Sequence, residues 1–358
     1  MATYESLLTV VQDLPRSLTH DDRVIVWCEP GSPVGVSRTF YGHIEIFLEG
    51  SPLKAMFRRV RDALEYQEWF RGDGSTINAN RILLPSAGHF EQVAAFLCTE
   101  LLRNGANTNL TDAFFKSEPV IELAISELLM AERTFVGLCG EMLVLQSLLS
   151  AARSDQVDTV LDSWKGNGET ARDFQLLRLG VEVKTTVGLA SSHLFSGIHQ
   201  TEVGHGVDGV EEWYFFVASI GIEWVGEEGL SNSTSLPEIV RNIVSTISSP
   251  RSELSDRVKA DFLGRLRDYG SQNRLGYDHP TMSESPRYMR RFRPTFARGY
   301  DMADRAIHLL STEDLKARPF IDPRSISLRV DLPNQVTGHL NPTVGLSAIC
   351  RKFVRLID

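Results

Sequence analysis

In the stretch ARDFQLLRLGVEVKTT, residues 171–186, an acid is followed by an acid and a lysine at strand spacing: Asp173, then Glu182 and Lys184. Residues two apart on a strand face the same side. Glu182 and Lys184 should therefore project together, while Val181 and Val183 turn into a core. A hard divalent cation such as Mg²⁺ takes oxygen ligands, usually only one or two carboxylates, and leaves its other positions to water and substrate phosphate. Asp173 and Glu182 can supply those carboxylates, and the backbone carbonyl of Val183, between Glu182 and Lys184, is a third donor. Lys184 would hold or deprotonate the attacking water and offset the charge that develops on phosphorus. The chemistry these residues suit is phosphodiester hydrolysis with Mg²⁺ or Mn²⁺.

The elements that must position these groups follow from patterning. Two alternations either side of a turn at Leu179-Gly180 predict a hairpin. From Asp112 to Ala151 the pattern is helical, with a break or bend expected at Pro119; Gly137 and Gly140 within it predict a close helix-to-sheet approach. VDTVLDSW (157–164) reads as the first core strand, which makes Asp158 and Asp162 alternative ligands to Asp173. SHLFSGI (192–198) reads as another strand, leading to Gln200, which could bond substrate phosphate or the lysine. EEWYFFVASIGIEWV (211–225) has an unbroken apolar middle, as a strand buried on both faces would. Ser235 with Glu238 forms a capping-box pattern for a helix, and a second helix spans about 253–269.

D-(x)n-E-x-K on consecutive strands resembles the signature of the PD-(D/E)XK nuclease superfamily, the restriction-endonuclease-like fold. More narrowly, Trp164-Lys165-Gly166, Arg172-Asp173-Phe174, Glu182-Val183-Lys184-Thr185-Thr186 and Gln200 are similar to a bacterial PD-(D/E)XK family encoded near restriction-modification and phage-defence genes. Arg172 stands where the signature has proline. The resemblance implies a mixed α/β (α+β) core, a central mixed sheet flanked by helices. It also implies a glutamate lent to the metal site by the helix before the catalytic strands, a place filled by Glu141, for which pairing with a neighbouring Arg or Lys is the alternative.

Upstream, residues 3–13 suit a short helix, 23–28, 36–48 and 79–86 suit strands, 89–103 an amphipathic helix, and 53–70 is ambiguous. The expected division is a mainly β N-terminal domain (1–110), a nuclease-like core (111–270) and a C-terminal α/β extension (271–358) with strands at 300–304 and 325–331. His20, His43 and His89 are isolated and make no ligand set.

The net charge of −9 argues against adhesion to DNA over the whole surface. A local patch could serve instead: RYMRRFRPTFAR (287–298) carries Arg287, Arg290, Arg291, Arg293 and Arg298, with aromatics interleaved, which suits phosphate contact and base stacking or else a solvated loop. The four cysteines form no CxxC pair, which argues against a zinc ribbon or disulfide framework. No stretch approaches the roughly 20 consecutive apolar residues of a membrane span, there is no signal-peptide pattern and no P-loop. The expectation is a cytoplasmic, metal-dependent DNA endonuclease acting on duplex DNA in restriction or phage defence, with partner proteins of a defence system, no membrane, and a homodimer if both strands are cut. An inactive nuclease-fold binding or scaffold subunit and an RNA-directed nuclease are the alternatives.

Overall fold

Val34, Val36, Ile44, Ile46 and Leu48 recur at a period of two and turn into one apolar cluster, while Phe47 packs with Ile77 and Ala79 in another. They lie in the computed structural model, which describes residues 3–19, 22–40, 42–70, 75–84, 90–166, 171–204, 206–226, 231–247, 252–269, 276–338 and 340–357. The chain forms two units, 1–133 and 134–358. The predicted borders at 110 and 270 differ from this. The helical segment 111–133 belongs with the first unit, and the C-terminal segment is part of the second.

In the first unit, α1 (Tyr4–Gln12) precedes β1 (Val26–Trp27), β2 (Val34–Arg38) and β3 (Ile44–Glu49); α2 (Arg58–Ala63), β4 (Leu64–Phe70), β5 (Thr76–Leu83) and α3 (Phe90–Arg103) follow. The strands form one antiparallel sheet in the order β1-β2-β3-β5-β4. The expected single strand over 36–48 is thus two paired strands, and the ambiguous 53–70 is a short helix followed by a strand. α1 and α3 contribute Leu7, Val11, Leu97 and Leu101 to the apolar cluster with the sheet. His20 and His89 lie outside the described residues.

α4 (Leu110–Ala151) runs through Pro119 as one helix, so the expected break is not formed there. By length and hydropathy its residues Glu132–Ala151 would pass for a membrane span, which corrects the expectation that no stretch comes near one; 67% of that window is buried, as in the core helix of a folded unit.

The second unit continues with α5 (Val157–Ser163), β6 (Phe174–Leu176), β7 (Leu179–Thr186), β8 (Ser192–Ser196), β9 (Tyr214–Trp224), α6 (Leu236–Ile247), α7 (Ser252–Asp268), α8 (His279–Met282) and α9 (Pro286–Met289). It ends with β10 (Phe292–Asp301), α10 (Thr312–Leu315), β11 (Ser327–Asp331), β12 (Thr343–Val344) and α11 (Leu346–Leu356). The main sheet has the order β12-β10-β9-β7-β6. β7 and β9 are parallel and the other pairs antiparallel, so the sheet is mixed, as expected. β9 lies at its centre, buried from Phe215 to Ile222. β8 and β11 pair separately.

Three expectations change here. VDTVLDSW is a helix: Val157, Val160 and Leu161 follow the i, i+3, i+4 spacing, and that period outweighed the β-branched composition. The hairpin turn falls at Leu177-Arg178, two residues earlier than predicted, giving the pairs Phe174 with Val181, Gln175 with Gly180 and Leu176 with Leu179. The arginine stretch is largely a strand rather than a loop. It is β10, paired along β9, with its register shift beside Pro294, where a missing N–H is tolerated.

Candidate active site

β6 is short, and that shortness builds the site. Phe174 is its last partner across from Val181, and the next β7 donor on that edge, Val183 N–H, is met instead by the Asp173 carboxylate, Oδ2 at 2.6 Å. Asp173 is anchored in turn by its carbonyl, which accepts from Lys165 N–H at 3.0 Å. Val181 and Val183 are buried in the core, and Glu182 and Lys184 leave the opposite face together. Lys184 Nζ lies 2.7 Å from Glu182 Oε1 and donates to Gln200 Oε1 at 3.0 Å, above the Phe195 ring at 5.0 Å. Gln200 Oε1 also accepts from Ser196 N–H at 2.9 Å, which fixes its orientation. Of the two roles foreseen for Gln200, the bond to the lysine is formed.

Glu141 approaches from α4. Its Oε2 accepts from Trp164 Nε1–H at 2.8 Å and its Oε1 from Tyr269 O–H at 2.6 Å. The partners are thus a tryptophan and a tyrosine, rather than the Arg or Lys that sequence suggested. α4 comes this close because Gly140 has no side chain: a Cβ there would stand 1.8 Å from Thr185 Oγ1.

The electrostatics show that these groups feel one another. Burial pushes the Asp173 carboxyl well above the usual range, and the Glu182 and Glu141 charges push the same way. Burial raises Glu141 to about 7 against the pull of the Tyr269 and Trp164 hydrogen bonds. Burial would lower the Lys184 ammonium, but Glu182 and Asp173 outweigh it and hold it above its ordinary value.

Three carboxylates against one ammonium leave a surplus of two negative charges if all are ionised. A divalent cation would neutralise that surplus, and Asp173 Oδ1 and Glu182 Oε2 have no hydrogen-bond or ion-pair partner among the described residues. These two carboxylates fit the small oxygen set that Mg²⁺ takes from a protein. Among the described residues, no group of three or more His, Cys, Asp or Glu side chains is gathered closely enough to hold a metal ion. As placed, Glu141 therefore stands behind the pair rather than completing a three-carboxylate cage. Asp158 and Asp162, the alternative ligands, lie on α5.

The predicted phosphate-binding arginines make contacts of their own. Arg287 lies on α9, buried beside the Tyr288 and Phe135 rings, and Arg290 stacks over Trp224 at 3.8 Å. Arg291 bonds Glu238 and Ser233, and Arg293 pairs with Glu223 across the β9–β10 ladder.

Sequence reasoning missed two polar systems. Arg172, in the position of the signature proline, is fully buried in a two-pronged ion pair with Glu212 at 2.8 Å for each bond, and donates to the carbonyls of His199 and Glu202. Gly180 leaves room for this pair, since a Cβ would meet Glu212 Oε1 at 1.7 Å. Beneath Lys184, His193 Nε2 contacts Ser219 Oγ at 2.7 Å, Ser219 bonds Ser191, and Arg298 donates to Ser191. Burial, with Lys184 and Arg329 nearby, lowers His193 to about 4, so it is neutral at pH 7. The strand parity of His193 with buried Phe195 is a signal that could have placed it inward.

A family model described as "Putative PD-(D/E)XK family member, (DUF4420)" matches residues 88–287, more than half of the chain. The chain belongs to this family. The match includes Glu141, Asp173, Glu182, Lys184 and Gln200, and ends before β10. No curated protein and no solved structure matches the chain. Membership of the family makes a hydrolytic nuclease the reaction class to test against this geometry.

Proposed function

We propose that the second unit is a metal-dependent endonuclease that hydrolyses phosphodiester bonds in DNA, in the setting of restriction or phage defence. One observation carries the reading: Lys184 is held between Glu182 and Gln200 at the free edge of β7, beside an Asp173 that takes the place of a strand partner. Bound Mg²⁺ or Mn²⁺, held by Asp173 and Glu182 with the Val183 carbonyl nearby, would supply Lewis-acid polarisation of the phosphate and a more acidic water. Lys184, held between Glu182 and Gln200, orients water and phosphate oxygens and offsets developing charge. Gln200 fixes the direction of the ammonium. Glu141, poised near 7, can take or release a proton at the edge of the site.

The test is nicking of supercoiled plasmid by the purified protein with Mg²⁺ or Mn²⁺, alongside single-stranded DNA and RNA. Asp173→Ala and Lys184→Ala should each lower the rate by at least about a hundredfold while circular dichroism is unchanged. Absence of cleavage by the wild type on every substrate, alone and with proteins encoded beside it, would defeat the proposal. One observation favours a rival, an inactive scaffold of the same fold: among the described residues no three His, Cys, Asp or Glu side chains gather around a metal position. Calorimetric titration separates them, because the enzyme binds Mg²⁺ in a manner lost in Asp173→Ala and the scaffold does not.

A further inference from the structure

We infer that a groove at the turn end of the β6–β7 hairpin binds an unpaired stretch of nucleic acid, with Trp213 as the surface on which a base stacks. The proposal rests on the nuclease reading only in taking a polynucleotide as the ligand. The groove has a volume of about 750 Å³ and is lined by Asp162, Lys165, Leu177, Arg178, Trp213 and Tyr214 among others. That volume falls in the range that receives small ligands.

Its chemistry fits a base and its phosphate. Trp213 and Tyr214 are 56% and 40% exposed, so two aromatic rings reach solvent side by side in sequence, where burial would otherwise be favoured. The platform is rigid: Trp213 N–H donates to the Arg178 carbonyl at 2.8 Å and Tyr214 N–H to the same oxygen at 3.2 Å. The Arg178 guanidinium lies 3.7 Å from the Trp213 ring, which anchors the indole and adds a cation for phosphate. Arg178 also pairs with Glu211 at 3.0 Å, but both side chains are solvent-exposed, and such a pair contributes little and exchanges readily. Lys165 adds a second cation to the lining; Asp162, and Glu211 beside Arg178 and Trp213, are the acids opposing them.

The groove is also connected to the catalytic groups. Lys165 bonds through its N–H to the Asp173 carbonyl. Arg178 precedes Glu182 by four residues of near-extended chain, roughly 13 Å at about 3.3 Å per residue. A single strand stacked at about 3.4 Å per nucleotide would cover that distance in about four nucleotides. An unpaired strand is favoured over a duplex for two reasons. Stacking on an aromatic side chain requires a base face that a duplex keeps covered, and the overall charge of −9 gives no broad basic surface for a double helix.

The test is fluorescence anisotropy of end-labelled single-stranded and duplex oligonucleotides of equal length, with the full-length protein in EDTA so that nothing is cut. Trp213→Ala and Arg178→Ala should each weaken single-strand binding by about tenfold, Trp213→Phe should retain most of it, and Arg351→Ala, which removes an exposed arginine elsewhere, should leave it unchanged. The inference is overturned if wild type binds no single strand, if Trp213→Ala binds like wild type, or if a duplex binds as tightly through the same residues. A protein that fails to cut but loses single-strand binding on Trp213→Ala defeats the nuclease reading and leaves this one standing. Cleavage unaccompanied by that loss does the reverse.

Discussion

Glu141 is a carboxyl group held where its charge is disfavoured, and the sign of the resulting pH dependence follows. Its value in the folded chain is about 7, against 4.5 for the free group. The native state therefore binds this proton more tightly than the unfolded chain, and the associated stability is complete below about pH 4.5 and lost as pH rises through about 7. Glu141→Gln has no proton to lose there. Urea midpoints in EDTA should show the wild type declining between pH 5 and pH 8 by on the order of 3 kcal/mol more than the variant. Equal slopes would mean that Glu141 titrates normally. At the neighbouring signature position, sequence comparison marks Arg172 only as a missing proline. The structure gives it a task a proline could not perform, since its guanidinium binds Glu212 and two carbonyls of the segment that carries Gln200.

Among the elements, the β6–β7 hairpin was legible because Phe174, Leu176, Leu179, Val181 and Val183 alternate cleanly into one core. α5 was not, because seven residues rich in valine satisfy both periods and only the burial of Val160 with Leu161 decides between them. The arginine stretch was misjudged for a related reason. Charges read as loop, yet β10 buries Phe292 and Tyr300 and lets arginines such as Arg293 emerge to pair with β9. The convergence of Tyr269 and Trp164 on Glu141 joins residues 128 and 23 positions away, and no local pattern carries such a contact. Of the two α4 glycines read as a close helix-to-sheet approach, Gly140 makes one against Thr185, whereas Gly137 faces Tyr269. Gly140→Ala should cost about 1–3 kcal/mol by overpacking, despite alanine's better helix propensity. Adding Thr185→Ala should return part of that loss, because it removes the clashing Oγ1, a buried atom with no hydrogen-bond partner among the described residues. Thermal unfolding of the single and double variants checks both expectations.

At the scale of the whole molecule, the fold class expected from sequence is the one observed: an antiparallel N-terminal sheet, then helices and a mixed sheet around the signature residues. The domain count was less legible, since hydrophobic patterning marks strands but not which sheet they join. Here β10 and β12, which follow residue 287, lie in the same sheet as β7. Recombinant boundaries drawn at the end of the family match would thus split a ladder. A truncation after residue 287 retains every candidate catalytic side chain but strips β9 of its partner from Phe216 to Trp224, baring a long apolar edge that templates self-association. Such a fragment should elute as aggregate on size-exclusion chromatography, whereas one extended through α11 should not, so the nuclease assay belongs on the longer piece.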